Sequence, residues 1–299
     1  MSKRAIHYIT FSLFSLVSFG QEVLTTTNPE DLINVDYEIY PNVNDVQIKN
    51  KTVAINFASL LDTSKFNFGL NYTYNTIDFN DHDTHNDFNA FEELHTIQAF
   101  AQYKKALINT WDAEFTIAPY IYSTLNKKIT KEDFVLSYKA NFIKTWDKNG
   151  LKSYLKLGAG YGSLFGKPNF YPIISYTSTI NEKFKYEIGI PVTGAYYKIN
   201  NHNTLQITAK PESIYANNAS NFMLDTNEMI SDSKLEFKAI KLALGYSYRL
   251  DKNWTTKCNV GYLTNSELTI KENDNKIYDF DSTESLSINV GLSFNLNKK

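Results

Sequence analysis

The sequence predicts an all-β protein, a transmembrane antiparallel β-barrel of the outer-membrane type with about 14 strands, as strands of that class pair in an even number. Three observations carry this expectation. Apolar and polar residues alternate along segment after segment, as they do in a sheet whose two faces meet unlike surroundings. The alternating runs reach roughly 10–16 residues, longer than strands of soluble sheets but suited to tilted strands that cross a bilayer. The connections between them alternate between short turns and longer polar loops, the asymmetry of outer-membrane barrels.

The chain opens on a signal-peptide pattern over residues 1–20. Lys3 and Arg4 give a positive start, Tyr8–Phe19 is apolar apart from small hydroxyl residues, and Ser18 and Gly20 set small residues before a cleavage point at Gln21. The stretch is too short for a spanning helix, which needs about twenty apolar residues. No cysteine follows it, which argues against a lipid anchor. Residues 21–299 are expected to form one barrel domain.

The lone Cys258 cannot form an internal disulfide. A net charge of −2 offers no basic footprint, so nucleic acid is not an expected partner. With 21 Tyr, 20 Phe and 3 Trp, aromatics make up 15% of the chain, a usage that suits strands and membrane interfaces.

The clearest strands come in this order. Phe66, Phe68, Leu70, Tyr72 and Tyr74 alternate with Lys65, Asn67, Gly69, Asn71 and Thr73. Phe184, Tyr186, Ile188 and Ile190 enclose Lys185, Glu187 and Gly189. Ile240, Leu242, Leu244, Tyr246, Tyr248 and Leu250 alternate with Lys241, Ala243, Gly245, Ser247 and Arg249. Leu286, Ile288, Val290, Leu292, Phe294 and Leu296 alternate with Ser287, Asn289, Gly291, Ser293 and Asn295. Segments 91–105 and 204–216 alternate less cleanly. A soluble sandwich would alternate too, but strand length and a polar face mixing charges with Gly, Ser and Asn favour the barrel.

Short turns are expected at 61–64, 106–109, 147–150, 181–182, 201–203 and 251–253, with longer connections at 80–90, 126–132, 166–169, 217–234 and 271–280. Splitting 183–200 at Pro191, which cannot donate to a ladder, and adding a short strand over 35–40 makes the two kinds of connection alternate throughout. The count is then fourteen, with twelve as the alternative. Trp111, Trp146 and Trp254 each lie beside a short turn on the apolar face of a strand, which points to an aromatic belt at one membrane interface.

The signal peptide, Tyr37–Pro41 (YEIYP), Gly189-Ile190-Pro191 and the Tyr-Lys-Ile-Asn at 197–200 resemble a family of outer-membrane β-barrel proteins of the Bacteroidota whose function is unknown. The resemblance implies fold and location and carries no activity or cofactor. The chain departs from the wider barrel pattern in following Phe294 with Asn-Leu-Asn-Lys-Lys rather than ending on an aromatic residue.

Candidate chemistry is sparse. His82 and His85, with Asp78, Asp81, Asp83 and Asp87 nearby, are weak candidates for metal ligands or for an Asp–His hydrolase pair. Asp, Asn and His are also ordinary turn formers in a solvated loop. Asp225, Glu228 and Asp232 lack the spacing of a calcium loop. His95 is the single histidine on an expected spanning strand, and no GxSxG nucleophile elbow occurs. Gly158, Gly160 and Gly162 (GAGYG) alternate along a strand with no helix after them, so they read as room in the lumen or against a neighbouring Tyr rather than a phosphate loop.

Charges expected to face the interior are Asp112, Glu114, Lys152, Lys156, Lys185, Glu187, Lys241, Arg249 and Lys257. Cations prevail in the second half, a slight bias toward a positive wall. No cofactor is expected. Expected partners are outer-membrane lipid, the outer-membrane insertion machinery and a small-molecule solute. The leading expectation is a passive channel or small-ligand-binding barrel. A non-conducting structural or surface-interaction barrel stands second, and an outer-membrane hydrolase third.

Overall fold

The computed structural model describes residues 31–43, 45–61, 65–79, 88–224, 229–281 and 283–296. The signal-peptide reading and His82, His85, Asp225 and Glu228 lie outside them. Seventeen strands follow in order: β1 (Asp31–Val43), β2 (Val46–Asn56), β3 (Phe66–Asp78), β4 (Glu93–Ala106), β5 (Trp111–Ser123), β6 (Phe134–Lys148), β7 (Leu151–Gly162), β8 (Asn169–Thr179) and β9 (Phe184–Ile190). They continue with β10 (Thr193–Lys198), β11 (Asn203–Asn218), β12 (Phe222–Met223), β13 (Met229–Ile230), β14 (Ser233–Arg249), β15 (Trp254–Glu272), β16 (Asn275–Phe280) and β17 (Ser285–Asn295).

Strands β1 to β11 pair each with the next, β11 pairs with β14, β14 with β15, β15 with β17 and β17 with β1, which closes the sheet. β16 pairs with β15 alone and β12 with β13 alone, so fourteen strands form the wall, as the alternation of turns requires. Closure matters because hydrocarbon offers no partner to an unpaired N–H or C=O, and an open edge would leave a whole row of them.

The alternation sets which side chains point outward. Phe66, Phe68, Leu70 and Tyr72 are exposed, as are Leu242, Leu244, Leu286, Ile288 and Val290. Their polar neighbours Asn67, Lys241, Ser287 and Ser293 are buried. This inversion of the soluble pattern produces the apolar outer band of a barrel built for lipid.

Turn chemistry fixes the register. Asn149 and Gly150 join β6 to β7 with φ of 54° and 81°, the two-residue hairpin whose twist matches the flanking strands. The 271–280 segment, expected as a loop, instead folds back. Asn273 and Asp274 take φ of 48° and 64° and turn β15 into β16, a two-residue hairpin that composition alone did not flag. The first strand is also longer than its expected 35–40 core. The 217–234 connection is shorter than expected because β11 and β14 pair out to Asn218 and Ser233.

The wall is uneven. β9 and β10 hold 7 and 6 residues, whereas β14 and β15 hold 17 and 19. Above the low β9–β10 hairpin, which Pro191 ends, β11 has no β10 neighbour beyond Ala209, and while it stays paired with β14 it reaches inward to β5. Asn217 pairs there with Ser123 in parallel, and the Thr124 amide donates to the Asn217 carbonyl at 3.1 Å. The outward face of upper β11 thus packs on the inner face of β5, where Tyr215 meets Tyr122 edge-on at 5.4 Å.

This pinch narrows the end with the long loops, and an apolar cluster fills it. Tyr40, Ile48, Phe91, Leu94, Phe237 and Leu263 belong to it, with Phe222 and Phe280 brought in by β12 and β16. Burying each large side chain contributes about 1.5–3 kcal/mol. Among the described residues, the end with the short turns buries polar side chains such as Asp31, Asn67 and Ser293 inside.

Candidate functional site

The site is the polar cavity of about 360 Å³ beneath the apolar plug. Period-two alternation positions its lining, since each wall strand sends every second side chain inward. β1 contributes Asp36 and Glu38, β2 Asn50 and Thr52, and β3 Asn71 and Thr73. From the far wall come Lys210 and Glu212 on β11, Lys241 on β14 and Lys257 on β15.

Where plug and cavity meet, Lys241 is clamped between two carboxylates. Its Nζ lies 2.8 Å from Glu38 Oε1 and 2.5 Å from Glu212 Oε2. The Tyr40 hydroxyl donates to Glu38 Oε2 at 3.1 Å, while its ring belongs to the plug. A buried charge is tolerable only when paired and hydrogen-bonded, and this cluster meets that condition. Lower down, Lys257 pairs with Asp31 at 3.4 Å.

Side-chain amides form a second layer. Gln206 Nε2 donates to Asn259 Oδ1 at 3.1 Å, and Asn259 Nδ2 donates to Asn289 Oδ1 at 2.7 Å. Gly245 between them leaves the room: a Cβ there would sit 2.2 Å from Asn259 Oδ1. Across the cavity Asn71 Nδ2 donates to Gln98 Oε1 at 3.4 Å, and the Thr52 and Thr73 hydroxyls are 3.0 Å apart. At the upper end Tyr120 and Tyr122 stack with centroids 4.9 Å apart and planes within 5°. Gly160 faces Tyr171, whose ring would lie 2.5 Å from an added Cβ, the second of the two uses expected for the glycines of GAGYG.

Of the nine charges expected to face the interior, Lys241 and Lys257 line the cavity. Glu114, Lys156 and Glu187 are buried in the barrel away from it, with Glu114 accepting from Asn141 Nδ2 at 3.0 Å. Asp112 pairs with Lys104 at 3.2 Å, and Lys185 sits 4.7 Å over the Tyr196 ring. Lys152 is half-buried near the β6–β7 turn, and Arg249 is exposed at the short-turn rim. The positive bias expected of the second half is offset where Glu38 and Glu212 meet Lys241.

Asp36, Glu38, Lys139, Lys210 and Glu212 escaped the sequence reading. Asp36 and Glu38 alternate with Val35, Tyr37 and Ile39 on the short first strand, so the signal for them is present in the sequence. Lys139 alternates likewise with Tyr138 and Ala140 and is buried. Lys210 and Glu212 were masked by Pro211 and by a strand that changes its surroundings midway.

The three tryptophans lie at one end, beside the short turns. Trp111 has Lys144 Nζ 5.5 Å over its ring, Trp146 meets Tyr176 at 6.5 Å, and Trp254 meets Phe294 at 4.9 Å. His95 points outward, where Tyr72 Oη lies 2.9 Å from its Nδ1 and Tyr74 stacks at 5.1 Å. Among the described residues no group of three or more His, Cys, Asp or Glu could hold a metal ion.

Among curated proteins, none matches this sequence. Solved structures that resemble the chain include a KdgM porin in complex with disordered oligogalacturonate, with 11% identity, 88% of this chain and 99% of that one covered, and a TM-score of 0.38. A NanC porin has 11% identity, 88% and 100% coverage and a TM-score of 0.41. LpxR from Salmonella typhimurium has 6% identity, 88% and 100% coverage and a TM-score of 0.39. At these values the likenesses transfer no activity. At the level of sequence, residues 42–298 match the family described as Domain of unknown function (DUF6268), and the chain belongs to that family.

Proposed function

We propose that the protein is an outer-membrane barrel that admits a small solute and holds it inside, rather than a pore open from end to end. The observation that carries this reading is the contrast along the axis. A packed apolar cluster closes the long-loop end, and a polar cavity of about 360 Å³, within the range of small-molecule sites, lies below it.

Outer-membrane lipid is the immediate partner of the apolar outer band, and the insertion machinery is the partner of assembly. Trp111, Trp146 and Trp254 form the periplasmic aromatic belt, which sets the long loops outside the cell. The YEIYP and GIP motifs support, in this reading, an origin among barrels of the Bacteroidota.

Planar-bilayer recording of the purified protein tests the proposal. The expected outcome is no sustained conductance, because the plug leaves ions no hydrated path. A stable ohmic step in the unmodified protein would mean that the barrel is a channel.

A further inference from the structure

Resting on the reading of an interior solute site, we infer that its ligand is an uncharged polyhydroxylated molecule of sugar size. Three features of the cavity wall converge on that class.

The first is charge. Asp36, Glu38 and Glu212 face Lys210, Lys241 and Lys257, so the ionised lining is formally neutral. Lys241, the most deeply placed cation, is already held by two carboxylates. A charged ligand would have to break that cluster or enter without a counter-charge, and an uncompensated buried charge is costly.

The second is hydrogen-bonding capacity. Seven side-chain amides and thirteen hydroxyls line the cavity. Amides and hydroxyls both donate and accept, which matches sugar hydroxyls that do the same. Four atoms of uncharged lining side chains lack a hydrogen-bond partner among the described residues: Asn50 Oδ1, Asn71 Oδ1, Ser137 Oγ and Tyr171 Oη. Ser137 and Tyr171 are 0% and 3% exposed, so these are buried polar atoms of the kind that a folded protein otherwise satisfies. Asn50 and Asn71 stand on the β2–β3 wall, and Ser137 and Tyr171 on the β6–β8 wall. As the side chains stand these atoms are closed off from the open space, and a polar ligand between the two walls would satisfy them by drawing the side chains toward it.

The third is the aromatic end. Tyr120 and Tyr122 stack in parallel and Tyr171 closes beside them. Their rings offer apolar surface to the C–H side of a sugar ring, while Tyr122 Oη is fixed 2.6 Å from Ser163 Oγ.

The test uses the full-length protein in detergent, carrying Cys258→Ser and Thr208→Cys to place a single thiol on the cavity wall, with a small uncharged methanethiosulfonate reagent. Modification is expected, and glucose or sucrose at millimolar concentration should slow it at least fivefold. Gluconate and glucosamine at the same concentration should have little effect. Tyr171→Phe, which keeps the ring, should raise the glucose concentration needed for half-protection about two- to tenfold, the loss of one hydrogen bond.

Protection by gluconate or glucosamine alone, or by no solute, would overturn the sugar assignment while leaving an accessible interior. A thiol that is not modified although the protein is folded would overturn the interior-site reading itself.

Discussion

The two ends of the barrel interior are lined by the same strands yet do opposite work. On β14, Leu235, Phe237 and Ala239 enter the plug, and one step further along the same face Lys241 enters the polar cavity. On β1, Tyr40 and Glu38 divide in the same way. An inward-facing position therefore does not mean a wet position. What decides is whether the opposite wall is near enough to pack, and the β11–β5 pinch brings it near at one end only.

The largest expected effect separates the two ends directly. Phe237→Ala, which empties a fully buried position in contact with Tyr40, should cost about 3–5 kcal/mol. It should also admit conductance steps that the unmodified protein lacks. Stability retained within about 1 kcal/mol would show that the plug is loosely packed.

Next comes the boundary cluster. Lys241→Met leaves Glu38 and Glu212 facing each other unpaired and should cost about 3 kcal/mol, the lower end for a broken buried pair because the cavity admits water. Adding Glu38→Gln and Glu212→Gln should recover most of the loss in urea unfolding. If it does not, the cluster matters for its shape rather than its charge.

A smaller effect is expected within the polar end. Gly160→Ala meets the far end of the Tyr171 ring, which can swing aside, so the cost in stability should be about 1 kcal/mol. Glucose protection should weaken by about as much as in Tyr171→Phe, since both remove the hydroxyl from its place.

The smallest effect lies outside the barrel wall. The Asn253 and Trp254 amides donate to Asp251 Oδ1 at 2.7 and 2.8 Å, and these bonds hold its carboxyl below the usual carboxylate range. Because the folded value is the lower one, its contribution is present above about pH 4 and is lost as pH falls through the lowered value. Asp251→Ala should melt slightly earlier than the unmodified protein at pH 7, and the two melting curves should converge in acid.

The barrel itself was legible because alternation, turn residues and loop lengths are local signals that agree with one another. Pro191 gave the strand count of fourteen over twelve. The cavity was not legible to the same degree. Which inward side chains share a height depends on strand tilt and stagger, and no local pattern reports that two strands six places apart will touch. For this reason Lys241 was found without Glu38 and Glu212. The β16 hairpin was missed on chemistry rather than distance, since Asn273-Asp274 is a less familiar turn pair than Asn149-Gly150.

The seam between β5 and β11 bears on how the molecule is assembled. Thr124 and Asn218, whose side chains meet at 3.4 Å, are 94 residues apart in the chain. The contact rewards the chain only after a long loop has been closed, and such contacts are late and slow to form. Strands β6 to β10 must be in place beside their neighbours before β11 can lean across to β5. The plug in turn needs that inner wall before it has anything to pack on. Inside this barrel, filling is expected to come after the wall that it packs against, because the plug has no inner surface until the seam has formed.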